Sequence, residues 1–467
     1  MNNKISRRQF IRTATGAAAL GGAASIMAAC APGQVPGAQR VVEVTREVQV
    51  TSAPASGAAA SGPRTLTVWG SGLDLGAMEK DPKGKGAALL AHKEAFLAKN
   101  PGTTVVWEDH GWDEALRQNI VTALLGGTQP DAIVGENFFQ QYAALNALLP
   151  IDDVLTKEVL DNSIVGTHKA ALYNGKHYGL SWISGCFGFE GNPNVLEEAG
   201  VEPKLPATWD ELAAVAEKVT SKGKAAGYTL QGPLGFSVGG MFRLAVYMQQ
   251  SGSTLNKPDD PFKPNFDDPK SFPVWEFVRK MLPFMPPGLA FEADESKVYS
   301  QLFAGKSAFQ MAGSWHVGWA KDSGLKNAIY GAVPIPAGGK PASYVVGNVI
   351  YGAMAASKVP DLALDWVIAS QAATVQDIVF KSSGRLPSTI KATEALLKDG
   401  NVDDATKKFA GLLKDSDLGI LPQWNKEPNK LNSLWNDLFT AVLTTKTDVA
   451  SLAADAQKKA LEVLTAA

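Results

Sequence analysis

From Arg64 onward, short apolar runs alternate with longer stretches whose apolar residues recur every three or four positions. Thr65-Leu66-Thr67-Val68-Trp69 ends in Gly70-Ser71-Gly72, which predicts a strand closed by a glycine-rich turn. The segment around Ala87 to Lys99 predicts a helix stopped by Asn100-Pro101-Gly102, and Thr103 to Trp107 a second strand. Between Asp113 and Leu125, the residues Leu116, Ile120, Ala123 and Leu124 share one helical face before Gly126-Gly127 end it. Pro130 to Gly135 then predicts a third strand. Strands and helices alternating this quickly imply a parallel α/β sheet. Further on, Thr208-Trp209-Asp210-Glu211 reads as a capping box, with Leu212, Val215 and Val219 following at helical spacing. The last hundred residues, from Pro360, read as mostly helical.

The first 63 residues do not share this pattern. Ser6-Arg7-Arg8-Gln9-Phe10-Ile11 precedes a glycine- and alanine-rich apolar run to Ile26, which resembles a twin-arginine export signal. That run is too short and too weakly apolar for a spanning helix. Met27-Ala28-Ala29-Cys30 resembles the lipobox of bacterial lipoproteins, with Met27 where leucine is usual. It implies lipidation of Cys30; an ordinary cleaved signal that happens to contain a cysteine is the other reading. Residues 1–29 are thus expected to be a signal peptide and 30–63 a lipidated cysteine with a disordered tether. Residues 31–63 contain no aromatic side chain, so they bury too little apolar surface to offset their ordering entropy. Fully extended, the tether would reach roughly 110 Å.

Composition narrows the function classes. A chain of 467 residues, 45% hydrophobic, is long enough for more than one domain. A formal charge of -2 argues against a sequence-independent nucleic-acid binder. With Cys30 consumed by lipid, Cys186 has no partner, and it is expected to be a small buried hydrophobe. Two cysteines and 5 scattered histidines leave no metal site, and no cofactor is expected. Eleven tryptophans outnumber 9 tyrosines, a surplus that suits either core filling or stacking on flat, partly apolar ligands.

Four segments, in this order, carry a family resemblance: Phe96 to Gly102; Gly126 to Asp131; Tyr173-Asn174-Gly175-Lys176-His177-Tyr178-Gly179-Leu180 ahead of Pro206 to Glu211; and Phe303 to Trp315. From about Arg64 to its end the chain resembles the extracellular solute-binding proteins of ABC importers, in the family that includes the maltose-binding protein. The resemblance implies an α/β, two-lobed periplasmic-binding-protein fold of type II, with a hinge and a ligand in the interlobe cleft. Lobe one is expected to hold 64–177 and 309–352, and lobe two 178–308 and 353–467. Function would be hinge closure around a small-molecule solute, a carbohydrate above all, followed by delivery to the membrane permease subunits of the importer. It would be a monomer, outside the cytoplasm and held to the membrane by lipid, with no nucleic acid as partner.

In a sugar site, aromatic faces cover the apolar ring faces while amides, carboxylates and guanidinium groups pair with hydroxyls. The loops after the early strands offer Trp69, Asp74 and Trp112, then Glu136, Asn137 and Phe138. Trp315 aligns with a ligand-stacking tryptophan of the resembled family and is the leading candidate. His316 beside it reads as a hydroxyl partner or, more commonly, as a satisfied core or surface histidine. Where the maltose-binding relative carries a sugar-binding glutamate this chain has Gly185, which argues against copying its specificity and leaves Trp182 as a stacking surface. Tyr344, Asn348 and Arg385 complete a rim, and Trp424 reads equally as a cleft residue or as helix packing.

Two rivals remain. An exported carbohydrate-active enzyme would need a catalytic pair, yet no His-Glu-x-x-His motif occurs. The same fold could instead hold a polyamine or a phosphate ester, which need carboxylate-rich or arginine-rich clefts that the candidates do not supply; a sensing role is not separable from transport by sequence. Changing Cys30 to alanine is expected to shift the protein from the membrane pellet to the soluble fraction with solute binding intact. A folded Cys30→Ala protein that lost binding would refute the anchor role.

Overall fold

The computed structural model describes residues 64–70, 86–111, 113–135, 139–230, 232, 238–292, 294–345, 348–419, 424 and 427–466. The signal, Cys30 and the tether lie outside the described residues, as do Asp74, Trp112, Glu136, Asn137 and Phe138. None of the described helices is long and apolar enough to cross a membrane.

The early alternation is realised with small changes of boundary. Strands Thr65–Gly70, Thr104–Asp109 and Ala132–Gly135 enclose helices Ala87–Lys99 and Asp113–Gly126. The three strands run parallel, with Thr65–Gly70 in the middle. Their sheet is larger and mixed, however. Beyond Ala132–Gly135 come Val349–Ala353, Leu180–Ser184 and Leu386–Pro387, in that order, each antiparallel to its neighbour. Local periodicity could not show this, because those three strands arrive from distant parts of the chain.

A second, three-stranded antiparallel sheet places Phe187–Gly191 between Phe309–Gly313 and Ile329–Gly331. Its core collects Phe189, Leu212, Tyr247, Trp275, Phe309 and Trp435. The helix Trp209–Ser221 that packs there starts as the sequence predicts, with the Glu211 amide donating to Thr208 Oγ1 at 3.2 Å. The Glu211 carboxylate reaches back one residue further than a capping box requires, to the Ala207 amide at 2.7 Å.

Sheet membership redraws the expected lobe spans. Leu180–Ser184 belongs to the first sheet, whereas Phe309–Gly313 and Ile329–Gly331 belong to the second. The expected second-lobe span 353–467 is divided as well. Leu362, Trp366, Val375 and Val379 pack in one core with Leu66 and Val68, while Leu431, Trp435, Phe439 and Ala460 pack in the second core. Apolar helix faces look alike in a sequence, and only the docking surface tells which sheet they cover.

The chain first passes between the sheets through Gly185 and Cys186 alone, since Ser184 ends one strand and Phe187 begins the next. It returns through Ala342–Tyr344, which pairs in parallel with Asp417–Gly419. Buried polar side chains tie these crossings together. Asn348 accepts the hydroxyls of Ser181 and Ser184 and donates to the Thr167 carbonyl at 2.7 Å. The Ser181 amide donates to His168 Nδ1 at 3.0 Å. Cys186 is fully buried and free, as expected, and burial pushes its thiol up to about 12.

Two buried histidines give the first lobe a pH dependence. Burial lowers His92 to about 4 and, with the nearby His177 charge as a smaller cause, His168 to about 3. Both folded-state values lie below the unfolded value of about 6.5, so the unfolded chain takes up the protons first. Their stabilisation is therefore complete above pH 6.5 and is lost as the pH falls toward 4, with each histidine contributing about 3 kcal/mol. Urea unfolding between pH 7.5 and 4 should show that loss. His168→Gln, which retains an acceptor for the Ser181 amide, should flatten the curve; an unchanged slope would remove His168 from this role.

Candidate functional site

The carboxyl ends of the first two parallel strands place an aromatic pair side by side. Trp69 is the penultimate residue of its strand and His110 follows Asp109, so the adjacent register stacks their rings 3.7 Å apart at 18°. His110 also lies 3.1 Å from Glu108 Oε2. The stack corrects the expectation for Trp69. Its indole is 8% exposed and belongs to a cluster with Leu116, Ile120 and Phe139, so the imidazole is the more accessible member of the pair. Sequence reasoning passed over His110. Its signal was its position, one residue beyond the second strand, close to where Trp69 nears the end of the first.

Trp315 comes from the second sheet, at the end of Phe309–Gly313 and at the N-cap of helix His316–Asp322. Its indole folds back on its own strand: a Cβ on Gly313 would stand 2.1 Å from the ring. Only glycine permits so close an approach. Phe187 lies beside the ring, with centroids 6.5 Å apart. Across from it, the Arg385 guanidinium carbon is 5.7 Å from the ring centroid, within the range of a cation–π contact. Arg385 immediately precedes Leu386–Pro387 of the first sheet, and Gly384, at φ +67°, turns the chain into it. Trp315 and Arg385, separately selected from the sequence, are thus brought together from the two sheets.

Five other candidates are committed elsewhere. Trp182 is 1% exposed and packs on the helix-covered side of the first sheet with Tyr351 and His92. It is core, not a stacking surface. Asn348 fastens the crossing strands, as described. Tyr344, 3% exposed, lies in the core of the second sheet, as does Trp424, 2% exposed, with its ring on Phe266 and its carbonyl accepting from Gln141. His316 is wholly buried; its Nδ1 lies 3.0 Å from the equally buried Glu190, which also accepts from Gln310 at 2.9 Å. Burial and internal partners account for these five residues. A strand residue faces the core or the solvent according to what packs above it, and polar groups that pair internally have no need of a ligand.

Behind Trp315 lies a charged cluster that the sequence did not suggest. Arg243, 1% exposed, places two guanidinium nitrogens 3.1 Å from Glu295 Oε1, with its guanidinium over the rings of Phe187 and Tyr299. Tyr299 donates its hydroxyl to the same oxygen, and burial raises its phenol well out of the titrating range. A cavity of about 500 Å³ lined by Phe96, Lys99, Asp365 and Lys391 lies behind the first sheet and contributes none of the candidate residues. Among the described residues no three His, Cys, Asp or Glu side chains gather to hold a metal ion.

Comparison with known proteins agrees with this architecture. Residues 80–377 match the family described as bacterial extracellular solute-binding protein. A putative binding protein of Brucella abortus is 32% identical over 142 residues, 30% of this chain, which spans only 34% of that relative. The diacetylchitobiose binding protein DasA of Streptomyces coelicolor is 25% identical over 82% of this chain and 86% of its own. Among solved structures, the cyclic alpha-maltosyl-1,6-maltose binding protein of Arthrobacter globiformis superposes with a TM-score of 0.71 at 18% identity, covering 87% of this chain and 100% of that one. The fold is the type II periplasmic-binding-protein fold, and the chain belongs to the bacterial extracellular solute-binding protein family.

Proposed function

We propose that this chain is the sugar-capturing component of an ABC importer, closing its two sheet-bearing lobes around a mono- or oligosaccharide and presenting it to the permease. The observation that carries the reading is Trp315, an indole folded close against Gly313 at a strand end and faced by Arg385 from the other sheet. An aromatic face opposed by a multivalent hydrogen-bond donor suits a pyranose ring, whose C–H face is apolar and whose edge carries hydroxyls. The names of relatives that bind diacetylchitobiose and maltotriose support the class. Arg385 also disfavours a cationic solute such as a polyamine, since the charges would repel, and a single arginine is a poor phosphate clamp.

In the same reading the protein works outside the cytoplasm as a monomer. It is anchored by a lipid on Cys30 and released from the bilayer surface by the tether, with His110 on the first-lobe wall of the cleft. It captures and does not cleave. Closure requires the two lobes to rotate about the Gly185–Cys186 passage and its companions.

Two outcomes test the site. Trp315→Ala should weaken sugar binding by about 1 to 3 kcal/mol, read by titration of tryptophan emission or by calorimetry; normal binding would remove Trp315 from the site. Gly313→Ala should weaken binding through displacement of the indole while leaving Trp315 in the chain. Native mass spectrometry of protein purified without refolding should show a retained saccharide mass. Release of cleaved products from any oligosaccharide would overturn the binding-only reading in favour of an enzyme.

A further inference from the structure

Trp315 has a neighbour on its helix. Trp319, one turn along His316–Asp322, is 45% exposed, and no aromatic side chain among the described residues is more open to solvent. Its indole meets that of Trp315 at 69°, with centroids 6.4 Å apart. Although exposed, it is held from beneath. The His316 ring lies 5.3 Å away at 33°, and Tyr299 lies 5.8 Å away. His316 is itself fixed by Glu190, and Tyr299 is clamped between His316, at 4.1 Å, and Arg243. An exposed aromatic face locked by buried partners costs a ligand little ordering entropy.

Tyr299, which supports the Trp319 indole, also holds a carboxylate, that of Glu295. The contacts described for Glu295, from Arg243 and from Tyr299, all fall on Oε1, and the side chain remains 41% exposed. Burying a guanidinium to brace a carboxylate at the surface is a poor way to gain stability, because the desolvation cost offsets much of the attraction. It is an effective way to hold a hydrogen-bond acceptor in place at Tyr299, the ring that also supports the indole.

We propose that Trp319 and Glu295 form an outer subsite for a second pyranose ring, in an oligosaccharide whose first ring rests on Trp315. The apolar face of the second ring lies on the Trp319 indole and one of its hydroxyls donates to Glu295. Binding then strengthens with the second ring, so that the protein selects disaccharides and longer chains over monosaccharides. This inference rests on the sugar reading given above.

The test is calorimetric titration of the full-length protein and of its Trp319→Ala, Trp319→Phe and Trp315→Ala variants. The probes are glucose, maltose, maltotriose, N-acetylglucosamine, diacetylchitobiose and triacetylchitotriose. Trp319→Ala should weaken the di- and trisaccharides bound by the wild type by about tenfold, the monosaccharide of that series by less than about threefold, and Trp319→Phe should restore most of the difference. An equal loss at every length, or no loss at any, overturns the outer subsite. In either case Trp315→Ala still weakens every length, so the sugar reading survives. A wild-type protein that binds none of the six sugars overturns both. Matching thermal unfolding midpoints for wild type and Trp319→Ala exclude a folding defect as the cause of a loss.

Discussion

The passage of the backbone from Ser184 to Phe187 governs this molecule. Two residues separate the end of a strand in one sheet from the start of a strand in the other, so any movement of one sheet against the other turns about this passage. The cost is a set of buried peptide and hydroxyl groups at the crossing that need partners. Asn348 supplies them, drawing Ser181, Ser184 and Thr167 into one network, while His168 takes the Ser181 amide. Gln371 and Ser388 close the same network from the helical side, both donating to the Ser181 carbonyl. A hinge built this way has few soft torsions and defined hydrogen-bond geometry, which suits rotation between discrete states more than gradual loosening.

The candidate site inherits its geometry from that crossing. Trp315 and Arg385 belong to different sheets, and they meet only because the crossings fix the separation of the two. Packing behind the indole continues the same logic. Phe187, the first residue past the hinge, touches both Trp315 and Arg243, and Arg243 in turn braces Tyr299 and Glu295. Hinge, indole and buried charge cluster are consecutive contacts along one path.

The sequence analysis recovered what depends on neighbours a few residues away. The five early elements, the Thr208 cap and the burial of Cys186 follow from apolar spacing, turn chemistry and side-chain type. Family resemblance added the two-lobed fold and the choice of Trp315 as the leading candidate. The assignments that failed share a different dependence. Trp182 and Trp424 carry the residue type of a stacking surface, yet Trp182 meets His92 and Tyr351 while Trp424 meets Phe266. His316 reads more commonly as a satisfied core histidine than as a hydroxyl partner, and the partner that satisfies it, Glu190, lies 126 positions away.

What the sequence by itself determined is the inventory: an α/β chain, its early strands and helices, and an indole after a glycine-ended strand. Tertiary structure decided the use of that inventory. It allotted the helices after Pro360 between two cores, set His110 on Trp69, faced Trp315 with Arg385, and left Trp319 open above a row of locked rings. The physical reason is range. Helix and strand formation are settled by contacts within about four residues along the chain, whereas the exposure of a given aromatic face is settled by whichever distant segment the sheet crossings carry over it.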